Sequence, residues 1–358
     1  MSSLMERLKK NSKIKETASL LESKFFEAKD QVVTDVPAIN IALSGSLDGG
    51  LQSGLTVVAG PSKHFKSSIC LVMASAYQKK YADGVILFYD SEFGSPQSYF
   101  EAFGVDTNRV IHTPITDIEQ LKFDIMAQLQ EMKKGDHVMI LIDSIGNLAS
   151  KKEVEDALNE KAVADMSRAK QLKSLFRMVT PHLTMKDLPM VCINHTYQTL
   201  ETYSKVQISG GTGVLYSAND AWIISRSQEK EGTELTGYTF TINIEKSRRV
   251  KEKSKIPLTV MFDGGITRYS GLLDLALEAG VVIKPSMGWY QKVDPETGEV
   301  LDGKYRAKDT NTPEFWEPLL KSKEFNDAVR HKFLLIHDAQ NEEVSDDEEQ
   351  GTTTGTFQ

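Results

Sequence analysis

Gly60 to Ser67 reads G-P-S-K-H-F-K-S and closes the apolar run Leu55–Ala59. Apart from one position, this is the G-x-x-x-x-G-K-[ST] spacing of a loop that cradles phosphate. Such chemistry needs backbone N–H groups converging at a helix N-terminus, a cation, and a hydroxyl for Mg²⁺. Gly60 lets the chain turn, and the loop Pro61, Ser62, Lys63, His64 and Phe65 follows, with N–H groups offered from Ser62 to Lys66. Lys66 would reach the outer phosphates, Ser67 would hold the metal, and the helix that starts at Ser67 and Ser68 stands behind them. Phe65 stands in the slot of a glycine, which accepts backbone angles that cost other residues about 1–2 kcal/mol. Either the backbone there stays in a region open to L-residues, with the ring turned from phosphate, or the loop is strained. Neither option removes a donor or the lysine.

Two downstream apolar runs end in acids. "HVMILIDS" ends in Asp143 and Ser144, where a carboxylate can hold Mg²⁺ through water. "GVILFYDSE" ends with Asp90 and Glu92, where a carboxylate can orient or deprotonate an attacking water. Each acid alone reads more simply as a solvated strand end. Several such ends in order behind a phosphate loop point to ATP and Mg²⁺.

Positioning these groups takes a particular scaffold. "LTVVAG", "GVILFYDSE", "HVMILIDS" and "LPMVCINH" are short apolar runs, with helical patterns at Ser67–Lys80, Ile118–Met132 and Val163–Val179. The alternation predicts an α/β fold, a mostly parallel sheet with helices on both faces and ligands at the carboxyl ends of the strands. "AWIISRS", "YTFTINIEKSR" and "IPLTVMFD" follow with short turns and predict antiparallel or mixed strands at one edge. The chain divides into an N-terminal arm (1–35, with an amphipathic helix over 16–29), a core (36–265), a small α+β domain (266–340) and an acidic tail (341–358).

The net charge is −8, but the tail holds six carboxylates and no base, so the remainder stands near −2. A uniformly basic nucleic-acid binder is excluded, and any DNA contact must come from local patches. The tail composition is that of a disordered segment. Cys70 and Cys192 form no C-x-x-C pair and read as small buried hydrophobes of a reducing compartment. With neither signal peptide nor membrane span, the expected location is the cytoplasm.

The order "GPSKHFKS", "LFYDSEFG…SYFEAFGVD", "MILIDSIGNLAS", "VCINH", "SGGTG", "IEKSR" resembles the RecA family of recombinases. The F-K-S loop and "INHTY" look most like the recombinases of T4-like bacteriophages, and "FDGGITRYSGLLDLALEAGVVIKPSMGWY" resembles the start of the family's C-terminal domain. The resemblance implies a RecA-like P-loop ATPase core and a DNA-dependent ATPase that forms helical filaments on single-stranded DNA and exchanges strands with a homologous duplex. Its partners would be single-strand-binding protein, a recombination mediator and further copies of itself, with no membrane. It also assigns roles. Lys66 and Ser67 would bind phosphate and Mg²⁺, Asp143 the metal, and Glu92 would activate water. Tyr99 would stack on adenine, and Lys246 with Arg248 would reach ATP bound to the adjacent subunit. His195 replaces the family's γ-phosphate-sensing glutamine, implying a similar switch with pH sensitivity.

Two segments match the family's DNA loops. "KKEVEDALNEKAVADM" leads into a helix carrying Arg168 and a stripe of Lys170, Lys173 and Arg177 opposite an apolar face, a pattern that in isolation is usually a solvated face. "TYQTLETYSKVQISGGTG" is long and glycine-ended and contains Tyr203, Lys205, Gly210 and Gly211. Glu153, Glu155, Asp156 and Glu160 fit awkwardly beside nucleic acid, and Thr241 and Asn243 occupy positions expected to be basic for a second DNA. A non-catalytic RecA-like mediator and a P-loop helicase are the alternatives. Glu92 together with Lys66 and Asp143 speaks against the first, and the lack of a visible basic finger set or hexamer linker against the second.

Overall fold

The computed structural model describes residues 3–23, 29–159, 167–199, 206–294 and 297–335. In chain order its elements begin with α1 (Leu4–Asn11), α2 (Pro37–Ser44), β1 (Gly54–Ala59), α3 (Lys66–Lys80), β2 (Val85–Asp90), α4 (Gln97–Ala102), β3 (Val110–Pro114) and α5 (Ile118–Glu131). Next come β4 (Val138–Asp143), α6 (Lys151–Leu158), α7 (Ser167–Lys186), β5 (Pro189–Asn194), β6 (Thr196–Gln198), β7 (Val206–Ile208) and α8 (Thr212–Ser217). The chain continues with β8 (Asp220–Glu231), β9 (Glu234–Ser247), β10 (Lys255–Met261), β11 (Gly265–Ile266), α9 (Leu272–Glu278), β12 (Val282–Ser286), β13 (Trp289–Lys292), α10 (Pro313–Leu320) and α11 (Lys323–Phe333).

Nine strands form one sheet in the order β11-β10-β9-β8-β1-β5-β4-β2-β3. The six from β8 to β3 run parallel, and β9, β10 and β11 add antiparallel strands at the other edge. The central runs are continuously apolar because both faces are covered. Val58, Phe88, Leu141 and Val191 belong to one buried cluster with α2 and α3, while Val57, Tyr89, Ile142 and Cys192 belong to another with α5 and α7. That alternation is the pleat itself. Register then decides the site, since Asp90 lies opposite Asp143 and Ala59 opposite Asn194. The polar residues therefore collect along one carboxyl edge, beside the loop that follows β1.

Residues 266–335 pack onto the first of these clusters through Leu272, Phe315, Trp316, Phe325 and Phe333. Cys70 and Cys192 are buried and free. Among the described residues no helix is long and apolar enough to cross a membrane.

The N-terminal arm departs from its expected form. A capping box between Ser3 and Glu6 starts a helix at Leu4, and only a 3₁₀ turn, Leu20–Glu22, forms in the described part of 16–29. Serines that bond locally punctuate the stretch: Ser12 meets Thr17, and Ser19 caps the 3₁₀ turn with Glu22. Leu20 and Leu21 remain exposed, and Phe25 and the acidic tail lie outside the described residues.

Candidate active site

The loop after β1 delivers Lys66 and Ser67 as the first residues of α3. Phe65 adopts the left-handed conformation, φ 60° and ψ 18°, the angles for which glycine is the usual residue. Its ring turns from the loop interior and stacks on Phe240 of β9, with centroids 5.1 Å apart and planes 16° apart, and meets Phe103 edge-on. The strained alternative holds for the backbone, and the ring nonetheless turns away from the loop onto Phe240 and Phe103.

Lys66 is 7% exposed, and its Nζ donates to the Pro61 carbonyl at 2.7 Å. Burial lowers its pKa, while Glu92 and Asp143 oppose that shift. Ser67 Oγ donates to Asp143 Oδ2 at 2.7 Å. Burial pushes Asp143 up to about 6 against the Ser67 hydrogen bond, and the nearby Glu92 and Asp90 charges add to the rise. Hydroxyl and carboxylate are hard oxygen donors of the kind Mg²⁺ takes with phosphate oxygens and water completing its shell. Asp143, buried and short of positive partners, is a carboxylate that a cation would stabilise. The donor set fits Mg²⁺.

Glu92 sits in the turn leaving β2. Its Oε1 is 3.0 Å from His195 Nε2 and accepts from Ser144 Oγ at 2.6 Å. The His195 contact, helped by Ser144 and opposed by burial, holds Glu92 at about 2, so its carboxyl is ionised. Gly146 makes room for the histidine, because a Cβ there would lie 2.2 Å from His195 Cδ2. Tyr99 of α4 hydrogen-bonds Ser68 and meets Phe103 edge-on, which places it beside the phosphate loop.

His195 also connects Glu92 to the segment expected to form the second DNA loop. Asn194 Oδ1 accepts from the His195 amide, Asn194 Nδ2 donates to the Ser209 carbonyl, and the Ser209 amide donates to the His195 carbonyl. Among its described residues the segment pairs as two strands of a hairpin, β6 antiparallel with β7, and Tyr197 Oη donates to Gln207. Tyr203 and Lys205 lie outside the described residues. Gly210 and Gly211 take φ +89° and +78° and turn the chain into α8.

Arg168 is engaged within the chain. Its guanidinium donates to the carbonyls of Leu148, Ile145 and Gly146 and to Ser209 Oγ, clamping the loop after β4 to the hairpin base. Those bonds occupy donors that a phosphate would need. Lys170, Lys173 and Arg177 are exposed along α7, whose Leu172, Leu175, Phe176 and Val179 are buried. The segment expected to form the first DNA loop begins as helix α6, capped by Ser150, with Glu153 in its first turn where an acid suits the helix N-terminus. Glu160 is outside the described residues.

Lys246 and Arg248 stand at the end of β9 beyond β8. Lys246 Nζ donates to the Leu215 and Tyr216 carbonyls at the C-terminal end of α8, and Arg248 is exposed. Among the described residues no hydrogen bond joins either to the phosphate loop of the same chain. Sequence reasoning missed Ser144 as a Glu92 partner and Arg226, which donates to the Lys63 carbonyl and lies over the Tyr238 ring. Ser144 was visible only as the neighbour of Asp143, and nothing in the sequence singled out Arg226.

Residues 5–267 match the RecA N-terminal domain family. The chain belongs to the RecA family. Residues 269–329 of this RecA-family chain match the C-terminal domain of the bacteriophage T4 recombination and repair protein. The recombination and repair protein of Enterobacteria phage T4 is 55% identical over 339 residues, covering 94% of this chain and 87% of the relative. Protein RecA of Tropheryma whipplei (strain Twist) is 26% identical, covering 89% of this chain and 70% of the relative. Protein RecA of Corynebacterium urealyticum is also 26% identical, covering 80% and 76%. The likeness to phage recombinases expected from the loop and "INHTY" is borne out over nearly the full length.

Proposed function

We propose that this chain is a recombination and repair protein that polymerises on single-stranded DNA, pairs it with a homologous duplex and hydrolyses ATP with Mg²⁺ as the filament cycles. The observation that carries the reading is one linked set of side chains. Ser67 meets Asp143, Ser144 meets Glu92, Glu92 meets His195, and the main chain at His195 is tied to the hairpin at Ser209. Nucleotide chemistry and the DNA segment thus share a residue.

In this reading the loop from Gly60 to Ser68 and Lys66 bind phosphates, and Tyr99 covers the adenine. Ser67 and Asp143 hold Mg²⁺, which when bound offsets phosphate charge. Glu92 takes a proton from water, with Oε1 restrained by Ser144 and His195. His195 exchanges its contact with Glu92 for one with the terminal phosphate, which shifts the hairpin. Lys246 and Arg248 complete the site of the adjacent subunit, a head-to-tail contact that yields open helical filaments. Lys170, Lys173, Arg177 and the hairpin, with Gly210 and Gly211, line the DNA path. Single-strand-binding protein and a mediator would act on the filament in the host cytoplasm.

The test is steady-state ATPase with and without single-stranded DNA, alongside strand exchange. DNA-stimulated turnover with exchange supports the reading, and turnover indifferent to DNA refutes it.

A further inference from the structure

Asp90 is a second acid at the base's doorstep, and its bonds show what it does. Its side chain is 4% exposed. Oδ1 accepts from the amides of Glu92, at 3.0 Å, and Phe93, at 2.8 Å, while Oδ2 meets His112 Nε2 at 3.1 Å. The two amides shape the turn from which Glu92 projects, and Phe93 takes φ 55° there. A buried carboxylate needs partners for both oxygens. The second partner comes from β3, the edge strand of the sheet.

Register builds the contact. His112 lies opposite Phe88 in the parallel β2–β3 pair and stacks on its ring, with centroids 5.4 Å apart. Asp90 is the next residue along the same face of β2. Phe88 also packs against Phe100 of α4, with centroids 5.0 Å apart. Beyond His112 a cleft of about 540 Å³ opens, lined by Phe88, Asp90, Phe93, Phe100 and His112, and the histidine side chain is 51% exposed.

We propose that Asp90 and His112 are positioning residues for ATP hydrolysis. His112 fixes one oxygen of Asp90, Asp90 fixes the Glu92 and Phe93 amides, and the turn so held presents Glu92 to Ser144 and His195. The inference rests on Glu92 being the base. Neither positioning residue touches the reacting atoms, and ATP binding, which belongs to Gly60–Ser68, stays intact without them. A base displaced by a fraction of a bond length costs rate rather than affinity.

The test uses the full-length chain. His112→Phe keeps a ring on Phe88 and removes the nitrogen that meets Asp90. Its DNA-dependent kcat should fall about tenfold with the ATP KM within about twofold, and His112→Gln, whose amide can donate to Asp90, should recover most of the loss. In Glu92→Gln protein without nucleotide, adding His112→Phe should speed hydrogen exchange of the 91–94 amides several-fold, a readout independent of catalysis. Unchanged kcat, a loss shared equally with KM, no recovery by glutamine, or unchanged exchange each overturns the role. Ordinary turnover by Glu92→Gln alone overturns it by a separate route, through the base assignment.

Discussion

Replacing Phe65 separates two effects that the structure superimposes on one residue. The ring stacks on Phe240, itself 4% exposed, and touches Phe103, so removing it forfeits an aromatic pair and part of its burial. Full removal of a buried phenylalanine costs about 3–5 kcal/mol, and Phe65 is only half-buried, so about 2 kcal/mol is expected. The backbone at φ 60° works the other way, because a residue with a Cβ bears about 1–2 kcal/mol there that glycine does not. Phe65→Ala loses the ring and keeps the strain, whereas Phe65→Gly loses both. At an ordinary position glycine is worse than alanine by roughly 0.5–1 kcal/mol. Here the order reverses: Phe65→Ala should be less stable than wild type by about 2 kcal/mol, and Phe65→Gly by only about 1 kcal/mol. Urea unfolding of the nucleotide-free protein, followed by tryptophan fluorescence, measures both. A Phe65→Gly variant less stable than Phe65→Ala would refute the left-handed assignment. ATP affinity of Phe65→Gly should stay within about tenfold, or 1.4 kcal/mol; a much larger loss means that the ring is needed to shape the loop.

Glu92→Gln should cut turnover about a hundredfold or more while keeping ATP-stabilised filaments, and a normal rate in a coupled ATPase assay removes the base assignment. Lys246→Ala should depress ATPase more in assembled filaments than in isolated subunits, because its proposed target is the neighbour's nucleotide; equal losses count against action in trans. Arg168→Ala should lower stability by about 2 kcal/mol or more, since it leaves the Ile145, Gly146 and Leu148 carbonyls without their donor. Its salt dependence of DNA binding should match wild type, whereas Lys173→Ala should reduce the slope of log affinity against log salt by about 0.7 for a single strand. Fluorescence anisotropy titrations over a salt series distinguish the two, and the reverse pattern restores Arg168 as a phosphate contact.

The parallel core and the acids along its carboxyl edge were legible because both follow from local pattern. Continuous apolar strands demand two covered faces, and polar strand ends must then face the loop after β1. The edge strand β3 was not legible: "VIHTP" is short, mostly exposed, and unlike a buried run. The N-terminal helix was misplaced because helical spacing of Leu20, Leu21 and Phe25 outweighed the serines around them. Phe65 could be flagged from sequence, but its partner Phe240 lies far along the chain and only folding brings the rings together. Arg168 shows the limit most clearly. A cation beside a DNA segment reads as a phosphate contact, and only three-dimensional structure reveals carbonyls converging on it. His195 was legible as a substitution, while its direct contact with Glu92 required the two strands to be placed together.

If ATP is gripped in a cleft tied to the proposed DNA-binding hairpin, nucleotide and DNA must raise each other's affinity. The affinity of the purified chain for a single-stranded oligonucleotide, measured with and without a non-hydrolysable ATP analogue at fixed salt, tests it most directly. Binding should be at least about tenfold tighter with the analogue, a coupling of about 1.4 kcal/mol, accompanied by filaments visible by electron microscopy. Equal affinity in both conditions, with no filaments, would contradict it.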